Sequence, residues 1–173
     1  MSITDDIHDV VHAWVTASTG IDGQKAIPDK ENSPEPTGAH FVINSSASES
    51  GVGFRDEVDY GASGEYTVRG HRERLVSLHA FGKDAYSLMQ QVKMSQSAPS
   101  IRKLFKDARI ELVETKTIRD LSKLKGSRYE SRAQMDVIVR YAQKFTDAVP
   151  TIARIDYEVS VGLESINDSV HTP

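Results

Sequence analysis

Two histidines four residues apart, in His8-Asp9-Val10-Val11-His12, are the nearest approach in this sequence to a chemical motif. On a helix that spacing brings both imidazoles to one side, where a zinc ion could be held and a glutamate between them could act as general base. Here the acid between them is Asp9, one methylene shorter, and no third ligand stands out downstream. On a helical wheel both histidines lie beside Asp5, to one side of an apolar stripe of Ile3, Ile7, Val10 and Trp14. The sequence therefore predicts a solvated helix flank, and a small metal-dependent hydrolase using His8 and His12 is the lesser alternative.

Other chemistries find less support. Gly51 with Gly53, and Gly61 with Gly64, do not lie between a strand and an amphipathic helix, as a phosphate cradle requires. Gly82 does lie at such a junction, but a single glycine followed by Lys83 and Asp84 makes no phosphate loop, and its expected role is backbone conformation. No serine sits in a nucleophile elbow. Asp56, Glu57 and Asp59 belong to a Gly- and Ser-rich stretch ill suited to fixing catalytic geometry. No enzyme, no cofactor and no metal are expected.

Arg69, His71, Arg72 and Arg74 form a basic cluster interrupted by Glu73. It would suit phosphates, as in a nucleic-acid-binding module, or an acidic protein surface. The favoured reading is the charged, solvated start of a strand, since charge at strand ends is ordinary edge protection. A net charge of -4 argues against nonspecific attraction to nucleic acid or anionic membrane.

The elements that must position these residues centre on Arg72 to Met94, where the hydrophobic period changes. Before Gly82, Val76, Leu78 and Ala80 alternate with Leu75, Ser77, His79 and Phe81, which predicts an interior strand. After it, Ala85, Leu88, Met89 and Val92 form the seam of a helix that must dock on a sheet to be stable. A first helix is predicted over 3–18 and a strand over 40–46, with a possible short strand near 25–27. A short helix carries Ile101, Leu104 and Phe105 after Pro99, and a strand follows over 109–113. The stretch 114–128 has turn character. From Glu130 to Phe145, Ala133, Met135, Val137, Val139 and Tyr141 alternate with polar residues, and a last strand over 155–161 could pair with that one as a hairpin.

The 173 residues and 38% hydrophobic content suit one domain with a substantial core. The absence of cysteine excludes disulfides and fits a reducing cytoplasm. With no export signal at Met-Ser-Ile-Thr-Asp-Asp and no long apolar run, the chain is expected to be soluble and to have no membrane partner. Residues 45–70 read as a long loop punctuated by Val52, Phe54, Val58, Tyr60, Tyr66 and Val68, and a loop of that length is usually functional or disordered. Residues 164–173 have little apolar content and are expected to fray. The predicted fold is α+β: a mixed, mostly antiparallel sheet with two main helices on one face, in a single domain over 1–173 carrying 45–70 as a loop or hairpin arm.

Two of these segments resemble a known family. Arg74-Leu-Val-Ser-Leu-His-Ala-Phe-Gly-Lys-Asp-Ala-Tyr-Ser-Leu-Met is similar to the strand, aromatic-Gly turn and Ala-containing helix of the neck, or tail-terminator, proteins of long-tailed bacteriophages. Ser127-Arg-Tyr-Glu-Ser-Arg-Ala-Gln-Met-Asp-Val-Ile-Val-Arg-Tyr is similar to their aromatic-Glu-x-Arg-Ala lead into a long alternating strand. The likeness runs from Ile7 to Glu164, and 45–70 is longer than the family pattern. It implies a structural virion protein, assembled in the host bacterial cytoplasm, that forms a ring of six copies on the head-proximal end of the tail tube. Its partners would be other copies of itself, the tail tube protein and the head-tail connector or neck proteins, with DNA passing through the lumen without specific binding. On this reading Phe54, Arg55, Tyr60, Tyr66, Arg69, Arg72 and Arg74 are the expected subunit or tube contacts.

Overall fold

The computed structural model describes residues 3–29, 36–61, 65–125, 128–148, 154–161 and 164–171; within strands some side chains, those of Phe54 and Arg55 and all of those over 154–161 and 164–171 among them, lie outside this set. The chain divides into two compact units, one of Met1–Arg55 with Gly70–Gln143 and one of Asp56–Arg69 with Lys144–Pro173.

In chain order the elements are α1 (Ile3–Thr19), a single 3-10 turn (Gly23–Lys25), β1 (Ala26–Pro28), β2 (His40–Tyr60), β3 (Glu65–Phe81), α2 (Ala85–Ser95) and α3 (Pro99–Asp107). They are followed by β4 (Ile110–Thr115), β5 (Arg119–Asp120), β6 (Lys123–Lys125), β7 (Arg128–Glu130), β8 (Arg132–Ala148), β9 (Arg154–Val161) and β10 (Glu164–His171). The main sheet runs β1-β2-β3-β8-β4, with β5 also on β8. β1 is parallel to β2, and β4 and β5 are antiparallel to β8, so the α+β class with a mixed, mostly antiparallel sheet holds.

The core of the first unit follows from the two periodicities. Val76, Leu78 and Ala80 of β3 and Ala133, Met135, Val137, Val139 and Tyr141 of β8 are all buried on the side that receives the helices. α1 brings Ile7, Val10, Val11, Trp14 and Val15, with Asp5 and Asp6 in its first turn, where the helix dipole favours them. It stops at Gly20, whose φ of 69° lets its N–H reach the Thr16 carbonyl at 2.9 Å. The Trp14 indole N–H donates to Ser95 Oγ at 2.9 Å and its ring meets Phe105 edge-on at 5.6 Å, which ties α1 to α2 and α3. Ala85, Met89 and Val92 form the fully buried seam of α2, whereas Leu88, read from the sequence as a seam residue, is only half-buried at its margin.

Gly82 is where the period switches. Its φ is 89°, and a Cβ there would come within 2.9 Å of Ala39 Cα and the Gly38 carbonyl oxygen, so only glycine lets the two backbones pass.

Four expectations are corrected. Of the loop or hairpin expected over 45–70, the hairpin holds and the loop does not: β2 continues to Tyr60 and β3 begins at Glu65 beside it, because Val52, Val58 and Tyr60 keep the strand alternation while Ser and Gly merely mask it. Residues 164–171 are not frayed, since β10 pairs with β9 from Glu164↔Val161 to His171↔Arg154; 172–173 lie outside the described residues. β9 therefore pairs with β10 rather than with β8; backbone hydrogen bonding needs no apolar pattern, and Glu164–His171 holds only Ile166 and Val170 as large apolar residues. Finally, the stretch 114–128 is more than turns. It contains β5 and the strand β6, which pairs antiparallel with β7.

Candidate interaction surfaces

Glu49 of β2 gathers several side chains on the helix side of the sheet. Its carboxylate accepts hydrogen bonds from the Arg74 guanidinium of β3 and from the Tyr141 hydroxyl of β8. Arg74 also donates to Thr4 Oγ1 of α1 at 2.7 Å and lies 5.5 Å from the centre of the Tyr141 ring. The Tyr141 hydrogen bond, and then that of Arg74, lower the Glu49 pKa below its usual range. Burial, and then the bond to Glu49, raise that of Tyr141 to about 12. This arrangement is a structural clasp: it holds the start of α1 to three strands and occupies Arg74.

The opposite face of the sheet is polar but internally matched. Ser77 Oγ donates to Asp136 Oδ1 at 2.6 Å, Gln134 Nε2 donates to the same oxygen at 3.1 Å, and Arg119 reaches Oδ2 at 2.6 Å. Arg140 pairs with Glu73 at 2.6 Å and with Glu111 at 3.2 Å. Arg132 Nη2 donates to His79 Nδ1 at 3.2 Å, and its guanidinium lies 5.0 Å from the centre of the Phe81 ring, which stacks on buried His40 at 4.9 Å. Burial first, and the Arg132 charge second, lower the His79 pKa, so the neutral imidazole that accepts this bond is the favoured form.

In the second unit, Tyr60 and Tyr66 pack edge-to-face at 5.3 Å, and Gly61 N–H donates to the Glu65 carbonyl at 2.8 Å across the β2–β3 turn. Tyr60 is 76% exposed, Phe145 63% and Val58 43%.

The sequence-predicted residues fall in different environments. His8 and His12 are half-buried, not on a solvated flank, with rings 6.1 Å apart. His12 Nε2–H donates to the Gly23 carbonyl at 2.9 Å, because the 3-10 turn folds back against α1. Among the described residues no three His, Asp or Glu side chains gather to hold a metal ion. Arg69 and His71 are exposed, Arg72 is half-buried with a bond to the His71 carbonyl at 3.2 Å, and Arg74 is held by Glu49. The basic run is thus split by strand alternation and partly neutralised. Phe54 and Arg55 lie in β2, with side chains outside the described set. Sequence reasoning missed Glu49 and Tyr141 as a pair; the only available signal was the apolar-face position of Tyr141, which leaves a buried hydroxyl in need of an acceptor. Among the described residues no helix is long and apolar enough to cross a membrane.

What the geometry offers is surface and scaffold. No curated protein matches the sequence. The family model described as phage neck terminator protein matches residues 5–165, nearly the whole chain and both quoted segments. The chain belongs to the phage neck terminator protein family, and so is a structural protein of the phage tail neck that associates with tail and head components.

Proposed function

We propose that this protein assembles as a ring of six copies on the head-proximal end of the tail tube, stops tube growth there and presents the surface to which the head connector joins. Family membership supplies the place in the virion. The observation that carries the reading to a contact surface is the exposed Val58, Tyr60 and Phe145 on the extended strands of the second unit. Exposed aromatic side chains on a rigid strand are typical anchors of protein interfaces, whereas a free monomer gains nothing from them.

On this reading Phe54, Arg55, Tyr60, Tyr66 and Arg69 make subunit or tube contacts directly. Arg72 and Arg74 act from the neighbouring stretch of β3, Arg74 by clasping Glu49. The net charge of -4 suits a lumen through which DNA passes without adhering. The protein is assembled in the host bacterial cytoplasm and acts as a structural part rather than as an enzyme. Negative-stain electron microscopy of the purified protein with tail tubes tests this. Rings seated at one end of each tube are expected, with tube ends left bare when Tyr60→Ala and Phe145→Ala are combined; binding along the tube sides, or none, would count against it.

A further inference from the structure

The grooves beside the two edges of the main sheet are rimmed by opposite charge: Arg102 and Lys106 by one, Asp5, Asp9 and Asp29 by the other. β4 has β8 on one side and no strand on the other among the described residues, and β1 is the opposite edge beside β2. Next to β4, α3 leaves a groove of about 470 Å³ with Phe105, Ile110 and Leu112 in its walls and Arg102 and Lys106 on its rim. Arg102, Lys106 and the neighbouring Arg109 are exposed and make no ion pair among the described residues. Glu111, the acid lining this groove, is held by Arg140 at 3.2 Å. At the other edge a cavity of about 440 Å³ lies between α1 and β1 and is lined by Asp5, Asp9, Pro28, Asp29 and Ile43. Asp9 and Asp29 are exposed and likewise make no ion pair among the described residues.

This contrasts with the sheet's polar face, where Arg119, Asp136, Glu73 and Arg140 are matched within the chain. An open edge strand beside an apolar-walled groove is a ready template for association. The sign of the charge decides which partner fits. A two-fold contact of β4 with β4 would set Arg102 and Lys106 against their own kind, and a two-fold contact of the β1 edge would oppose aspartates. Only a head-to-tail contact brings unlike charges together, and such a contact closes into a ring when its rotation allows.

We propose that the α3–β4 edge of one copy docks on the α1–β1 edge of the next, Arg102 and Lys106 meeting Asp9 and Asp29 beside the partly exposed Leu112. This names the subunit contact of the ring and rests on the ring reading above. Sedimentation velocity over a concentration series tests it with the full chain. Arg102→Glu with Lys106→Glu, and separately Asp9→Lys with Asp29→Lys, should each weaken self-association about tenfold or more. An equimolar mixture of the two variants should restore assembly, because each then offers the edge the other needs, and restoration also shows that both are folded. If a reversed variant differs from wild type in circular dichroism, the Arg102→Ala with Lys106→Ala form replaces it. Variants that assemble as wild type does, or a mixture that fails to assemble, would overturn this contact while leaving the ring intact. A wild type that stays monomeric and leaves tube ends bare would overturn the ring, and this contact with it.

Discussion

Glu49, Tyr141 and His79 show how single side chains on this sheet link its stability to pH. Tyr141 has its pKa raised from 10.0 to about 12, so the clasp is fully stabilising below pH 10 and its contribution is lost as the pH climbs toward 12. His79 has its pKa lowered from 6.5, so the unfolded chain takes up the proton first and stability falls as the pH drops below that value. The urea midpoint should therefore decline on the acid side of pH 6.5, and His79→Gln should flatten that decline while leaving the alkaline limb in place. An unchanged acid limb would mean that Arg132 and burial do not hold His79 neutral. Gly82→Ala should cost about 1 to 3 kcal/mol from backbone conformation alone, with the approach to Ala39 adding to it, as read by urea denaturation. That glycine was legible in the sequence because it stood at a change of period. The Glu49–Tyr141 pair was not, because its members are 92 positions apart and no local pattern joins them.

α2 separates residues that a helical wheel groups together. Met89→Ala should cost roughly 2 to 5 kcal/mol, as a buried side chain leaves a cavity, and Leu88→Ala distinctly less, because Met89 is fully buried and Leu88 is not. Chemical denaturation of the two variants gives the order; the reverse order would place the seam on the wrong side of the helix. Helices and central strands were readable from sequence since apolar spacing alone reports burial, and Val76, Leu78, Met135 and Val137 lie where alternation puts them. β2 beyond Ser46 was not, because Ser48, Ser50, Gly51 and Gly53 dilute the alternation of Val52, Phe54, Val58 and Tyr60, and the strand is sustained by neighbouring backbone rather than by its own composition. β10 was missed for the same reason. In the second unit, Tyr60→Ala should shift stability by no more than about 0.5 kcal/mol, as exposed substitutions do, yet weaken tube capping. A large loss of stability in thermal unfolding would instead make Tyr60 part of a packed core.

The first unit gathers its packing on one side of a sheet and matches charges on the other, whereas the second exposes Val58, Tyr60 and Phe145. Exposed apolar side chains suit a part in an assembly, in keeping with the neck terminator family. The proposed role requires this chain to close into a ring that ends the tail tube. Its most direct test is electron microscopy of tube subunits polymerising with and without the purified protein, scored for tube length and for density at the tube ends. A closed six-fold ring is expected at one end of each tube, with no further elongation from that end. Tubes that continue to lengthen past bound protein, or ends that carry no ring, would contradict it.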